Sequence, residues 1–157
     1  MTDKHLEKIL LSRPWIGNEK TEITEKTQVA FNLSLLFFRE IKGLVAKNID
    51  LAFSPDGTDI YFDPVNFSDI IQSDGCICKK SQIDKKGVMG RPILVIEIDS
   101  QEKKDLYQSH GVSMYVNIDI QNKLVKAYKL ENSAYNIVDG GFLGLGYAVK
   151  EEDIFSK

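Results

Sequence analysis

The chain has little of what most readily makes metal or redox chemistry: two cysteines, two histidines and one tryptophan in 157 residues. Cys76 and Cys78 form Cys-Ile-Cys with no second pair elsewhere, whereas a structural zinc site takes four ligands at matched spacings, so both read as reduced structural thiols. His5 and His110 stand outside any ligand motif, which leaves scant material for histidine catalysis. No run approaches the ~20 uncharged apolar residues of a transmembrane helix. Met1 to Lys8 is polar and mixed in charge. No membrane association and no secretory leader are therefore expected, and the cytoplasm is the expected location. An excess of positive charge is missing too. With 20 Lys and Arg against 23 Asp and Glu the net charge is -3, which argues against a protein that coats nucleic acid. It does not argue against one that cuts it, because a carboxylate metal site is itself locally acidic.

What is present centres on residues 91–107, where Ile93-Leu-Val-Ile96 runs into Glu97, Asp99, Glu102, Lys103 and Lys104. The apolar run is short and rich in β-branched residues, which predicts an interior strand. Ser100 to His110 has helical composition, Gly111-Val112 punctuates its end, and Met114 to Ile120 predicts a further strand. Strand, helix and strand form one crossover unit with a parallel pair.

Elsewhere, the N-terminal stretch predicts a short helix over Lys4 to Leu11, then irregular chain through Arg13-Pro-Trp15. Val29, Leu33, Leu36, Phe37, Ile41, Leu44 and Val45 recur at helical spacing behind Thr24, a plausible N-cap, and predict the longest helix. Ile49 to Phe53 and Asp59 to Phe62, joined by Ser54-Pro-Asp-Gly57, predict a hairpin. Phe67 to Ile71 predicts another strand, and Asp74-Gly75 opens a less regular connection up to Gly90. Strands over Val125 to Leu130, Tyr135 to Val138 and Leu145 to Val149 complete the pattern. Together these make one domain of the α/β class, strictly α+β, with a central mixed sheet flanked by helices. Residues 1–22 read as an N-terminal extension and 23–157 as the core.

Asp69 and Glu97 each stand alone among apolar neighbours in consecutive strands. A carboxylate so placed costs several kcal/mol unless a partner or cation compensates it, and two on adjacent strands suggest a divalent ion. Glu97 and Asp99 share a strand face by period-two alternation, and hard oxygen ligands select Mg²⁺ or Mn²⁺ over zinc. Lys103 in the first turn of the following helix is within reach of the strand end, where an ammonium would offset charge growing on a phosphate. A plainer account also fits. Asp99 with Glu102 makes a capping box, Glu97 could pair with Lys103, Lys104 or Arg91, Asp69 could end a strand, and Lys103-Lys104 could be a solvated helix face. Asp56 follows Pro55 but precedes Gly57, a surface turn, and ranks below Asp69 as a ligand.

The run Pro92-Ile-Leu-Val-Ile-Glu97-Ile-Asp-Ser100, then Glu102-Lys103-Lys-Asp-Leu-Tyr107, then Gly111-Val112-Ser-Met-Tyr115-Val-Asn-Ile-Asp119, resembles the Uma2 family of restriction-endonuclease-like, PD-(D/E)XK nucleases. Ser68-Asp69 stands where that family has Pro-Asp, and the likeness extends from Phe67 to Phe155. It implies a restriction-endonuclease-like core, metal-dependent hydrolysis of DNA, Asp69 and Glu97 as metal-binding acids with Asp99 as an extra ligand, and Lys103 as the catalytic lysine carried on the helix. Ser68 in place of proline, Asp99 in place of leucine, a shortened segment before Glu102 and the lack of an N-terminal Glu-Leu-x-x-Gly stretch depart from the pattern.

Three functions follow as expectations: a Mg²⁺- or Mn²⁺-dependent endodeoxyribonuclease with DNA as its partner, a catalytically silent binding or inhibitory protein on the same scaffold, or a structural protein that dimerises. Many restriction-type nucleases pair to cut both strands, so a homodimer is left open. The tail Gly141 to Tyr147 suits core packing better than a partner surface.

Overall fold

The computed structural model describes residues 25–47, 50–55, 57–138 and 155. The helix expected over Lys4 to Leu11, the cap at Thr24, the strand over Leu145 to Val149, the tail Gly141 to Tyr147, His5 and Asp56 lie outside them.

The long helix forms as its periodicity requires: α1 spans Glu25–Ala46 and buries Val29 and Leu33. Ten strands follow in two sheets. The larger holds six in the order β1-β4-β7-β8-β9-β10, with β1 Leu51–Ser54, β4 Gly75–Lys79, β7 Leu94–Ile98, β8 Met114–Asp119, β9 Leu124–Glu131 and β10 Ala134–Val138. The smaller holds β3 Ser68–Ser73, β2 Thr58–Asp63, β6 Gly87–Met89 and β5 Ile83–Asp84, in that order. The parallel pair expected from the crossover is β7 and β8, connected through α2, Lys104–Ser109.

Alternation divides the core. Leu94, Ile96 and Ile98 of β7 and Met114, Val116 and Ile118 of β8 face the same cluster as Val29 and Leu33 of α1. Val95 and Tyr115 point the other way, into a cluster with Tyr107 of α2 and with Ile60, Ile71 and Val88 of the small sheet. Both faces of the central strands are therefore covered, which is why they read as near-continuous apolar runs. Glu97 belongs to the second face by the same alternation.

Two local expectations need correcting. β1 and β2 do not pair as a hairpin: β1 joins β4, β2 joins β3 and β6, and the turn between them passes the chain from one sheet to the other. There the Ser54 hydroxyl donates to Thr58 Oγ1 at 2.7 Å, and Thr58 donates to the Pro55 carbonyl. The connection after Gly75 is not irregular either, since it opens with β4, whose Cys76 and Cys78 are free, buried thiols.

The small sheet depends on one glycine. Gly87 has φ +149°, and a Cβ there would run into the Asp59 carbonyl oxygen. Gly87→Ala should therefore cost roughly 1–3 kcal/mol in backbone strain alone, read as a lower urea midpoint with the β2–β6 pairing weakened.

Candidate active site

Glu97 sits near the end of β7, 2% exposed, opposite Asn117 of β8 in the parallel register. Its two oxygens have different neighbours. The Tyr107 hydroxyl of α2 donates to Oε2 at 2.8 Å, and Lys103 Nζ stands 3.7 Å from Oε1. The Lys103 ammonium also donates to the Gln72 carbonyl at 2.5 Å, which anchors it between β3 and β7.

A second acid brackets the same strand. Asp74, the residue between β3 and β4, donates its backbone N–H to the Ile96 carbonyl at 3.2 Å and accepts the Ile98 N–H on Oδ2 at 2.7 Å. It thus binds the residues on both sides of Glu97. Its Oδ1 lies 3.7 Å from Lys26 Nζ in the first turn of α1. Two carboxylates and two ammonium groups from four separate segments therefore meet at the mouth of β7.

The electrostatics follow. Burial, the largest influence, pushes the Glu97 carboxyl up to about 7. The Tyr107 hydrogen bond opposes it, the Asp74 charge adds to it, and Lys103 and Lys26 pull it back down. Burial, together with the adjacent Glu97, raises the Tyr107 phenol above its ordinary value. Tyr107 therefore stays a proton donor.

Of the residues singled out from the sequence, the fold brings Glu97 and Lys103 together and leaves two aside. Asp69 is exposed, begins the second residue of β3 with φ +54° in the small sheet, and precedes Asp74 by five residues, roughly 16 Å along an extended chain. Asp74 takes the position beside Glu97 that Asp69 was expected to hold. Asp99 does not share Glu97's face, because β7 ends at Ile98 and Asp99 turns into the left-handed region at φ +62°. Its Oδ1 accepts the Ile120 N–H at 2.9 Å, past the end of β8. Nor does it form a capping box with Glu102, since α2 starts only after Lys103, its N-cap, and Ser100 Oγ takes the Glu102 N–H instead. Asp74 had one legible signal: an acid between two β runs, directly before a glycine that opens an apolar strand.

Among the described residues no three His, Cys, Asp or Glu side chains gather closely enough to hold a metal by themselves. The Asp74 and Glu97 pair suits Mg²⁺ in one respect, because that ion keeps several waters and takes only one or two protein carboxylates. No helix among the described residues is long and apolar enough to cross a membrane.

No protein-family model matches the chain, and neither does any curated protein. One solved structure does: a "putative nuclease belonging to DUF820" from Anabaena variabilis, TM-score 0.57, 17% identical, aligned over 86% of this chain and 82% of that one. At that identity the likeness is one of architecture. The chain has a mixed α+β, nuclease-like fold.

Proposed function

We propose that the protein is a Mg²⁺- or Mn²⁺-dependent endonuclease that hydrolyses DNA phosphodiester bonds. The observation that carries this reading is the meeting of Asp74, Glu97 and Lys103 at the end of β7. In it Asp74 and Glu97 hold the ion, which supplies Lewis-acid polarisation of the phosphate when bound. Lys103, partly exposed and tethered by Gln72, places a positive charge where a pentacovalent phosphate gathers negative charge. Lys26 offsets the Asp74 carboxylate and adds a second cation for the nucleic-acid backbone. Tyr107 fixes the Glu97 carboxylate by donating to one oxygen, leaving the other directed toward Lys103. The nuclease-like neighbour and the resemblance of residues 92–119 to Uma2 sequences support the same class.

Plasmid nicking with Mg²⁺ or Mn²⁺ tests it. The intact protein should nick, and Lys103→Ala should lower the rate by about 10²–10³, the range for losing one positioned electrostatic group. The metal should also raise the melting temperature by mass action, by about 2.7 kcal/mol of stability at a hundredfold excess over Kd. Metal that neither stabilises the protein nor supports nicking refutes the proposal.

A silent, nucleic-acid-binding member of the fold is the second reading. It is favoured by Asp99, an acid two residues beyond Glu97 where the generic pattern has lysine, and by the engagement of Lys103 with a backbone carbonyl. Metal binding without nicking selects it.

A further inference from the structure

Next to Glu97, the carboxyl ends of β7 and β8 open into a cleft of about 360 Å³ lined by Asp99, Ser100, Gln101, Asn117, Asp119 and Gln121. Its size falls at the lower end of small-ligand sites, about 300–1,000 Å³. Crevices beyond the carboxyl ends of parallel strands are a recurrent place for ligands. The side chain of Asn117 is the buried part of this lining, with the residue 3% exposed. Its Nδ2 donates to the Ser100 carbonyl at 2.7 Å, while its Oδ1 accepts no hydrogen bond from the described residues. Asp99 likewise commits Oδ1 to Ile120 and leaves Oδ2 without a donor among the described residues. Asp119 is held by the amide and side chain of Asn122, which keeps its carboxyl below the usual range and charged.

The lining contains two carboxylates, three amides and a hydroxyl, with no lysine or arginine. A phosphate is repelled there. A metal finds no group of three ligands among the described residues. What suits such a surface is a neutral ligand rich in N–H donors, because each buried acceptor left unmatched carries a desolvation cost. Beside a site for phosphodiesters, that ligand is a nucleobase read by the edge that carries its amino group. Guanine sets a ring N–H next to an amino group, the pair that one carboxylate can accept together. In a duplex this edge is engaged in pairing, so the base must be unpaired or turned out of the stack.

We propose that the cleft holds an unpaired guanine flanking the bond to be cut, an inference that rests on the nuclease reading. Titration of the full chain with guanosine, followed by ¹H–¹⁵N NMR, should shift the side-chain amide signals of Asn117, Gln101 and Gln121. Inosine, which lacks the amino group, should bind about tenfold more weakly, and Asp99→Asn should weaken guanosine by a similar factor. Asn keeps an acceptor for the Ile120 N–H; should that variant misfold, the inosine comparison on the parent protein still decides. No shifts up to about 10 mM guanosine, equal binding of inosine, or selective broadening of these signals by Mn²⁺ overturns the proposal. The measurement requires neither metal nor turnover. A protein that nicks DNA yet ignores guanosine sinks the guanine cleft alone, and one that binds guanosine without nicking sinks the nuclease reading alone.

Discussion

Glu97→Gln should make the protein more stable at pH 8 while reducing metal-dependent nicking to background. The stability half follows from the carboxyl's displacement from 4.5 to about 7. Below about pH 4.5 the group is neutral in folded and unfolded chains alike, so its burial carries no ionic penalty. Between 4.5 and 7 the unfolded chain gives up its proton while the folded chain keeps it, and stability falls as pH rises. Above pH 7 the full penalty stands, about 3 kcal/mol. Glutamine never ionises, and its amide oxygen can still accept from Tyr107. Urea midpoints in EDTA between pH 4 and 8 should therefore decline for the parent and stay nearly level for the variant. A Glu97→Gln midpoint below the parent's at pH 8 would show that burial is not what displaces this group. The activity half follows from losing an anionic ligand, which an amide replaces poorly for a hard cation.

Tyr107→Ala should have the largest effect on folding. The ring is fully buried, packs at 6.3 Å from Phe62 and 6.0 Å from Tyr115, and fills the space between α2 and the two sheets. Removing it costs about 3–5 kcal/mol in lost transfer energy and cavity, a large part of a stability that is typically about 5–15 kcal/mol. The ¹H–¹⁵N spectrum should collapse toward that of an unfolded chain, or the urea midpoint should drop steeply. Tyr107→Phe separates packing from hydrogen bonding. It keeps the ring, deprives Glu97 Oε2 of its donor, and should cost only about 1–3 kcal/mol. Because that hydrogen bond lowers the Glu97 pKa, its loss should move the carboxyl's titration further upward. A titration that moves downward in Tyr107→Phe would contradict the geometry.

Much of the architecture was legible because its signals are local. The helical spacing of Val29, Leu33 and Leu36 located α1, and the apolar runs ending at Ile98 and Asp119 located β7 and β8. The Gly111-Val112 punctuation located the crossover. Pairing was less legible, since nothing local to residues 51–54 says that they join β4 and not the neighbouring β2. The candidate site divides in the same way. Glu97 and Lys103 could be found because a strand end and the following helix fix their separation. Asp69 was preferred to Asp74 because an acid among isoleucines stands out, yet Asp69 faces solvent. Asp74 owes its place to hydrogen bonds with a strand 24 residues away. Asp99 was assigned by alternation, which stops where the backbone turns left-handed.

That long-distance bracket also governs when the acidic pair comes into existence. The β3–β4 junction must close a large loop before it reaches β7, and such closures cost chain entropy that only later contacts repay. A nascent or partly unravelled polypeptide therefore has its two acids far apart. Whatever reactivity the pair supports arrives together with the finished tertiary structure and departs when that structure loosens.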